Sequence, residues 1–303
     1  MKAVGFYLIY PILWIISRLP FPIVYVLSDF FYFITYYIIG YRKEIIKNNL
    51  RIAFPNKDEK EITRLAKKST QHFCDIFIEM IKSMGMSKMS MKKRFLCKNP
   101  ETVNAFAKAK RPLIVMFGHQ ASYEWTMVLD EVLDYKVYAI YKPLKNKRWN
   151  TLIVNIRKKF NSELVAMKEA TAAMKESAEK EAALFALVAD QSPMAGRAQY
   201  FTNFFNVPSA VFKGAERIAR EHQTAVVFLR VTKVKRGYYE TEFVNITTNG
   251  AETKDWQITD TFFQLLEEQI IKQPEYYLWS HKRWKSTLEN TKHAVELSPR
   301  VQQ

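Results

Sequence analysis

Glycine is scarce in this 303-residue chain, with eight residues in all, and cysteine is scarcer, with two. So few glycines leave no room for a Gly-rich loop that would cradle a nucleotide phosphate, and no such motif occurs. Cys74 and Cys97 lie far apart and lack CxxC spacing, which argues against a disulfide framework and against a cysteine zinc site. A reducing compartment fits. Acid is also in short supply: 30 Asp and Glu stand against 46 Lys and Arg, a formal net charge of +16. Residues 82–98 carry six basic side chains and no acidic one, and residues 136–160 carry eight and none. Internal repeats and low-complexity tracts are missing. What remains is a chain 48% hydrophobic, long enough for one large domain or two small ones with a sizeable core. Its charge suits an anionic partner: nucleic acid, an anionic membrane, a phosphorylated substrate or an acidic protein.

The N-terminus narrows that choice. Residues 1–41 hold thirteen aromatic side chains in two apolar stretches, 3–17 and 19–41, parted at Arg18-Leu19-Pro20. The first is short for a membrane span of roughly 20 residues. The second is long enough but contains Asp29, which costs about 2.5 to 3.5 kcal/mol at the centre of a spanning helix. A signal peptide is disfavoured, because no small-x-small cleavage site follows residue 17 and the apolar character resumes. Residues 1–41 are therefore expected to associate with a membrane, whether spanning, re-entrant or interfacial. Arg42, Lys43, Lys47 and Arg51 follow at once, which places the remainder on the cytoplasmic side. The basic run 82–98 reads either as a solvated loop or as a surface facing anionic lipid.

Further along, "FPNKDEKEITRL" supplies a turn, an acidic first helical turn and apolar spacing at Ile62, Leu65 and Ala66. From residue 101 strands and helices alternate. Short apolar runs predict buried strands at Leu113–Phe117, Val137–Tyr141, Leu184–Ala189 and Ala225–Leu229, with helices near 122–134, 146–160, 167–181, 209–222 and 256–272. Around Gly237 a hairpin turn leads into a strand near Glu240–Ile246. The fold class is α/β: a mixed, mostly parallel sheet with helices on both faces, preceded by the apolar N-terminal segment. The domain runs over residues 42–285, and 286–303 reads as a polar, frayed tail.

In such sheets ligands sit beyond the carboxyl ends of the strands. "FGHQASYEW" (117–125) puts His119, one of five histidines, just past such an end. If His119 stays in the loop and Glu124 lies in the first turn of the helix, the carboxylate reaches the ring. It would then orient the imidazole as a general base. The bland alternative is a histidine that satisfies backbone groups. Asp190 ends another apolar strand at the same expected edge, as a site residue or a buried cap. Arg157 is the best candidate among the basic residues of 136–160 to meet a phosphate or the oxyanion of a thioester; Lys145, Lys147 and Lys159 read as a solvated face. In "WSHKRW" (279–284) His281 reads as packed, and the tryptophans as a substrate-facing edge or an interfacial anchor. No metal cluster is visible.

The His119-x4-Glu124 pattern is similar to the His-x4-Asp/Glu motif of glycerolipid acyltransferases. Four blocks in order resemble a narrower family, the late acyltransferases of lipid A biosynthesis (lauroyl/myristoyl transferases). They are "LPFPIVYVLSDFFYFITYYIIGYRKEIIKNNLRIAFP", "YKPLKNKRWNTLIVNIRKKF", "ADQSP" and "YYLWSHKRWK", and they span residues 19–285. The resemblance implies that His119 is the base on the acceptor hydroxyl with Glu124 as its acidic partner, and that Arg157 and Asp190 bind substrate or stabilise the transition state. Lys142 stands where the family commonly has the arginine of a Tyr-Arg-Pro turn, which keeps the charge but loses the bidentate fork. Gln191-Ser192-Pro193 follows Asp190 where some relatives have a second charge.

The expected protein is thus an O-acyltransferase of the bacterial inner membrane, with its catalytic domain on the cytoplasmic side. It would move a fatty acyl chain from acyl carrier protein, or from coenzyme A, to a hydroxyl of an anionic phosphorylated glycolipid, a lipid A precursor. No cofactor beyond that co-substrate is implied. Other lipid acceptors (a lysophospholipid, a phosphoinositide mannoside, an amino-acid lipid) are the alternative. A non-enzymatic anionic-lipid-binding protein is a remote one, and no nucleic-acid motif is recognisable.

Overall fold

The computed structural model describes residues 2–160, 162–180, 183–194, 198–289, 291 and 294–302. Four helices come first: α1 (Lys2–Ile16), α2 (Phe21–Phe33), which runs on through a π-helical turn at Ile34–Ile38, α3 (Lys43–Ala53) and α4 (Glu59–Ser83). Phe21–Ile38 is long and apolar enough to cross a membrane by length and composition. The start of α4 follows the sequence signal, with the Asp58 carboxylate capping the Glu61 N–H at 2.7 Å.

Next come α5 (Lys88–Lys92), β1 (Phe95–Cys97), α6 (Pro100–Lys108), β2 (Leu113–Phe117), β3 (Lys136–Tyr141), α7 (Lys147–Arg157), β4 (Glu163–Ala166), α8 (Ala170–Lys180) and β5 (Ala183–Val188). The chain then makes β6 (Tyr200–Phe204), β7 (Val207–Val211), α9 (Gly214–Glu221), β8 (Ala225–Lys235), β9 (Tyr238–Thr247), α10 (Gln257–Lys272) and β10 (Glu296–Leu297). Seven strands form one sheet in the order β1-β9-β8-β2-β5-β3-β4. All pairings are parallel except β8 with β9, which turn back through Gly237. The sheet is mixed and mostly parallel, as the alternation of short apolar runs with helical patterns predicts.

Each face of the sheet has its own core. Ile114, Met116 and Phe185 pack with α3, α4 and α10 through Leu50, Ile62 and Phe262. Val115, Phe117 and Leu184 point the other way, toward α6, α7 and a 3-10 helix at Tyr123–Glu131. Alternation along the strands therefore sorts the side chains between two layers, both buried.

Three expectations change. Residues 209–222 are not one helix: 207–211 is β7, paired antiparallel with β6, and α9 starts at Gly214. The joint is a two-residue turn with Phe205 and Asn206 both at positive φ, 53° and 57°. That geometry is usually announced by Asn-Gly, and Phe-Asn does not announce it. Within 122–134 the helix is 3-10, over Tyr123–Glu131, longer than such runs usually are. The tail is partly docked: β10 adds to β6 in parallel, and Ser298 is fully buried with its hydroxyl donating to Thr202 Oγ1 at 3.0 Å. Backbone bonds to a strand edge hold these polar residues, so composition gave no sign of it.

Candidate active site

The strands β2, β3, β4 and β5 run parallel, so residues 118–119, 142, 167–168 and 189–191 lie along one edge of the sheet. The loop that carries His119 is tightly built. A Cβ on Gly118 would sit 2.5 Å from Leu266 Cδ1 of α10, so glycine here serves helix packing rather than ligand approach. Ala121 is held at φ 50°. Tyr276 and His119 carbonyls accept from Ala121 and Leu278 N–H at 2.8 and 3.0 Å, which ties the loop to the block "YYLW".

β2 and β5 are neighbours, with Phe117 opposite Val188. The first polar residues beyond them therefore meet. His119 Nδ1 lies 2.6 Å from Asp190 Oδ1, and the His119 backbone N–H donates to Oδ2 at 3.0 Å. Burial alone would raise the Asp190 carboxyl, which is 2% exposed. The charge of His119 and the bonds from His119 and Tyr277 overcome that and hold it down at about 2. A carboxylate only accepts, so Nδ1 carries the proton, and whenever the ring is neutral it is Nε2 that presents the lone pair. Gln191 Nε2 lies 3.2 Å from that second nitrogen and donates to it.

Glu124 does not take the role expected of it. Both of its oxygens are held by Arg157, with Nη2 at 2.8 and 2.9 Å and Nε at 3.2 Å. The reason is the course of the chain, which turns at Ala121 before the 3-10 helix begins, while α7 brings Arg157 to that helix's first turn. The five-residue spacing gives the right neighbourhood but the wrong partner. Of the guanidinium nitrogens, Nη1 takes no part in the pair.

His119 and Gln191 on one side and Glu124 and Arg157 on the other line one cavity of about 1280 Å³, with Asp190 buried behind the His119 ring. Its mouth carries Lys142, His281 and Lys285, and its other arm is lined by Leu133, Val137, Leu164, Leu184, Leu229 and Phe243. It runs between the sheet and the 3-10 helix, and exceeds the roughly 300–1,000 Å³ of ordinary small-molecule pockets. On its wall, partial burial pushes the Asp130 carboxyl up to about 6, against a bond from Ser162 at 3.0 Å. His281, expected to be packed, lies on this cavity; burial first, then the charge of Lys285, pushes it down to about 4, so it is neutral near pH 7.

The remaining candidates sort by contact. Lys142 is exposed at the mouth. Lys159 is no solvated side chain: its ammonium donates to the carbonyls of Ser83, Met84 and Met86 at the end of α4. Arg283 is 2% exposed and donates to Ala210 O at 2.9 Å, and Trp279 is 1% exposed, so "WSHKRW" is packed rather than an interfacial anchor. In the run 82–98, Lys88 pairs with Glu131 and Lys98 with Glu240, both at 2.5 Å. Among the described residues no three His, Cys, Asp or Glu come together as metal ligands. Sequence reasoning missed Gln191 and Tyr277 as partners of the His119–Asp190 pair. The signal for Gln191 was its position beside a strand end, which becomes legible only with the strand order; Tyr277 reaches the pair from the chain after α10, through a bridge to Gln120 that no local pattern shows.

Against known proteins, the family model for bacterial lipid A biosynthesis acyltransferase matches residues 1–286. The chain is 22% identical over 278 residues to the lipid A biosynthesis palmitoleoyltransferase of Escherichia coli (strain K12), covering 91% of this chain and 89% of that one. The lipid A biosynthesis acyltransferase of Shigella flexneri matches with the same identity and coverage.

Proposed function

The chain belongs to the bacterial lipid A biosynthesis acyltransferase family, and from that premise we propose that it transfers a fatty acyl chain from a carrier thioester to a hydroxyl of a lipid A precursor. The observation that supports this most directly is the His119–Asp190 pair at the polar end of a cavity whose other arm is apolar. The apolar arm suits the acyl chain, and the basic mouth suits an anionic phosphorylated glycolipid.

In the proposed reaction the acceptor hydroxyl oxygen attacks the thioester carbonyl carbon as His119 Nε2 takes its proton. Gln191 must leave Nε2 for this to happen. Asp190 keeps Nδ1–H in place and stabilises the imidazolium. Arg157 Nη1 faces the negative charge that grows on the carbonyl oxygen, and Glu124 holds the guanidinium plane. The carbon–sulfur bond then breaks, an ester replaces the thioester, and the leaving thiolate recovers the proton from His119. This sequence uses no covalent acyl-enzyme and no cofactor. Acyl carrier protein is the proposed donor, since an acidic carrier complements the Lys142 and Lys285 side of the mouth. The site of action is the cytoplasmic face of the inner membrane.

The test is acyl transfer in vitro with purified protein, a lipid A precursor and thioesters of acyl carrier protein or coenzyme A, read by mass spectrometry. One added acyl ester on the precursor is expected, faster from the carrier protein. Acylation of a lysophospholipid instead would give the acceptor to another lipid class.

A further inference from the structure

We propose that α1 and α2 form a monotopic platform: both lie in the interface of one leaflet with their apolar faces down, and neither crosses the bilayer. The proposal rests on the membrane-bound reading above and adds its topology.

Each helix is fastened to the catalytic domain at both ends. At the turn between them, Lys82 Nζ donates to Ser17 O at 2.9 Å, and a Cβ on Gly85 would lie 2.3 Å from that same oxygen. The Arg94 guanidinium stacks 3.6 Å over the ring of Phe21, the first residue of α2. Past the far end of α2, Arg42 Nη1 donates to Ser280 O at 2.8 Å. At the start of α1, Phe6 meets Trp149 edge-on at 5.1 Å and Tyr7 lies under Arg148. A spanning helix carries its ends about 30 Å apart, to opposite faces of the hydrocarbon. Lys82 and Ser280, or Trp149 and Lys82, would then stand on opposite sides of the membrane, although one sheet and its packed helices hold them together.

The middle of α2 is also wrong for a span. Arg236, at the tip of the β8–β9 hairpin, grips Asp29 at 2.7 Å and Asp75 at 2.6 Å, and the Ser28 hydroxyl donates to Asp75 at 2.8 Å. Were α2 to cross, these charges would sit at the bilayer centre, at about 2.5–3.5 kcal/mol for each. In length α1 has 15 residues, about 22 Å of helix, too short for the core.

α2 leaves one apolar stripe outward at the i, i+4, i+7 spacing of a helical face, and α1 has the same stripe but is exposed around most of its girth, at Tyr7, Ile9, Tyr10 and Trp14 as well. On α1 it is Leu8, Ile12 and Ile15, and on α2 Val26, Phe30 and Phe33, every one more than half exposed. Exposed Arg18 and Arg42 flank α2, where anionic headgroups would meet them. That combination fits an anionic leaflet entered to about 5–10 Å. Because α1 begins against Arg148 and Trp149, just after the Lys142 loop, the cavity mouth lies beside the leaflet surface.

Spin labels on Ile23→Cys, Phe30→Cys and Ile38→Cys, bound to vesicles of phosphatidylcholine with phosphatidylglycerol, read the topology by depth. Three similar shallow depths are expected. A Phe30 label near the midplane with the other two near opposite surfaces would overturn the proposal. As a second reading, an impermeant thiol reagent should reach Leu19→Cys only from the face that carries the catalytic domain; reaction from the opposite face alone would overturn it. Buried Cys74 and half-buried Cys97 set the background in the unsubstituted chain. If the protein fails to float with vesicles at all, and the labels stay in water, the membrane-bound reading falls together with the proposal.

Discussion

Two clusters of charged side chains lie close together in this molecule and are used in opposite ways. At the sheet edge, His119–Asp190 and Glu124–Arg157 form two pairs of which His119, Glu124 and Arg157 line the cavity, with Nε2 and Nη1 turned away from their carboxylate partners. Under α2, Asp29, Asp75, Lys233 and Arg236 form a denser network of ion pairs with one another, and Glu79 is buried beside it. Glu79 there is fully buried and takes bonds from the hydroxyls of Tyr25 and Tyr239 at 2.8 and 2.9 Å. The two clusters are linked at one remove, since Trp125, the residue after Glu124, donates Nε1–H to the Glu79 backbone carbonyl at 3.3 Å. Charge and burial alone do not separate chemistry from architecture. Access to open volume does.

The sharpest way to break this comparison is at His119. His119→Ala should lower turnover by about 10²–10⁴-fold per folded molecule, and should also lower the melting temperature, because it leaves the buried Asp190 carboxylate without its ring partner. If activity survives in a folded variant, the cavity pairs are architecture too. Arg157→Ala should cost on the order of 10²-fold in kcat, as loss of an oxyanion donor does. Lys159→Ala, two residues on, should act instead on stability, by about 1–3 kcal/mol, because it frees the carbonyls at the end of α4. Equal kcat for the two variants would remove Arg157 from the reaction.

Much of this division was legible in the sequence, and what was not has a common cause. The four strands, the mixed sheet and the region of the candidate site follow from local apolar runs and from a histidine and an aspartate placed after two of them, although β8 runs on to Lys235, six residues past the end its apolar run predicts. The pairing does not. Which carboxylate meets His119 depends on β5 lying beside β2, a fact about strand order that no spacing within 119–124 contains. The buried network is harder still, since its members and Glu79 are dispersed over residues 29, 75, 79, 233 and 236. Arg236 and Lys233 read as ordinary basic residues near a hairpin until α2 is laid against them. The same long-range contacts changed the meaning of 1–41, from an apolar stretch of any topology to helices tied at both ends.

In the buried network the expected damage is to stability. Lys233→Ala leaves Asp75 without the ammonium now 3.3 Å away, both side chains being under 10% exposed. Breaking one partner of such a pair costs about 3–5 kcal/mol. The Arg236 contact to Asp75 remains and should keep the loss near the lower end. Denaturant unfolding should show it, while kcat per folded molecule stays within a few-fold. A variant as stable as the parent, or one inactive though folded, would erase the contrast between the clusters.

Per pH unit the change is smaller, and it separates the clusters by the sign of a pH slope. Burial, reinforced by Asp75, pushes Glu79 up to about 7, while the Lys233 charge and the tyrosine bonds oppose it. An unfolded glutamate titrates near pH 4.3. Between about 4.3 and 7 the unfolded chain gives up this proton and the folded one keeps it, so stability falls as pH rises, by at most about 1.4 kcal/mol per pH unit. Asp190 has the opposite sign: held down at about 2 against an ordinary 3.9, it contributes stability above pH 3.9 that is lost as pH falls toward 2. Glu79→Gln should therefore gain on the parent as pH rises from 4.3 to 7 and hold the gain above. Asp190→Asn should lose to the parent above pH 4 and draw level toward pH 2. Unfolding free energies of the three proteins across pH 2–8 check both. Parallel curves for Glu79→Gln and the parent would mean that Glu79 is already ionised in the fold, and the buried network would then be charged throughout.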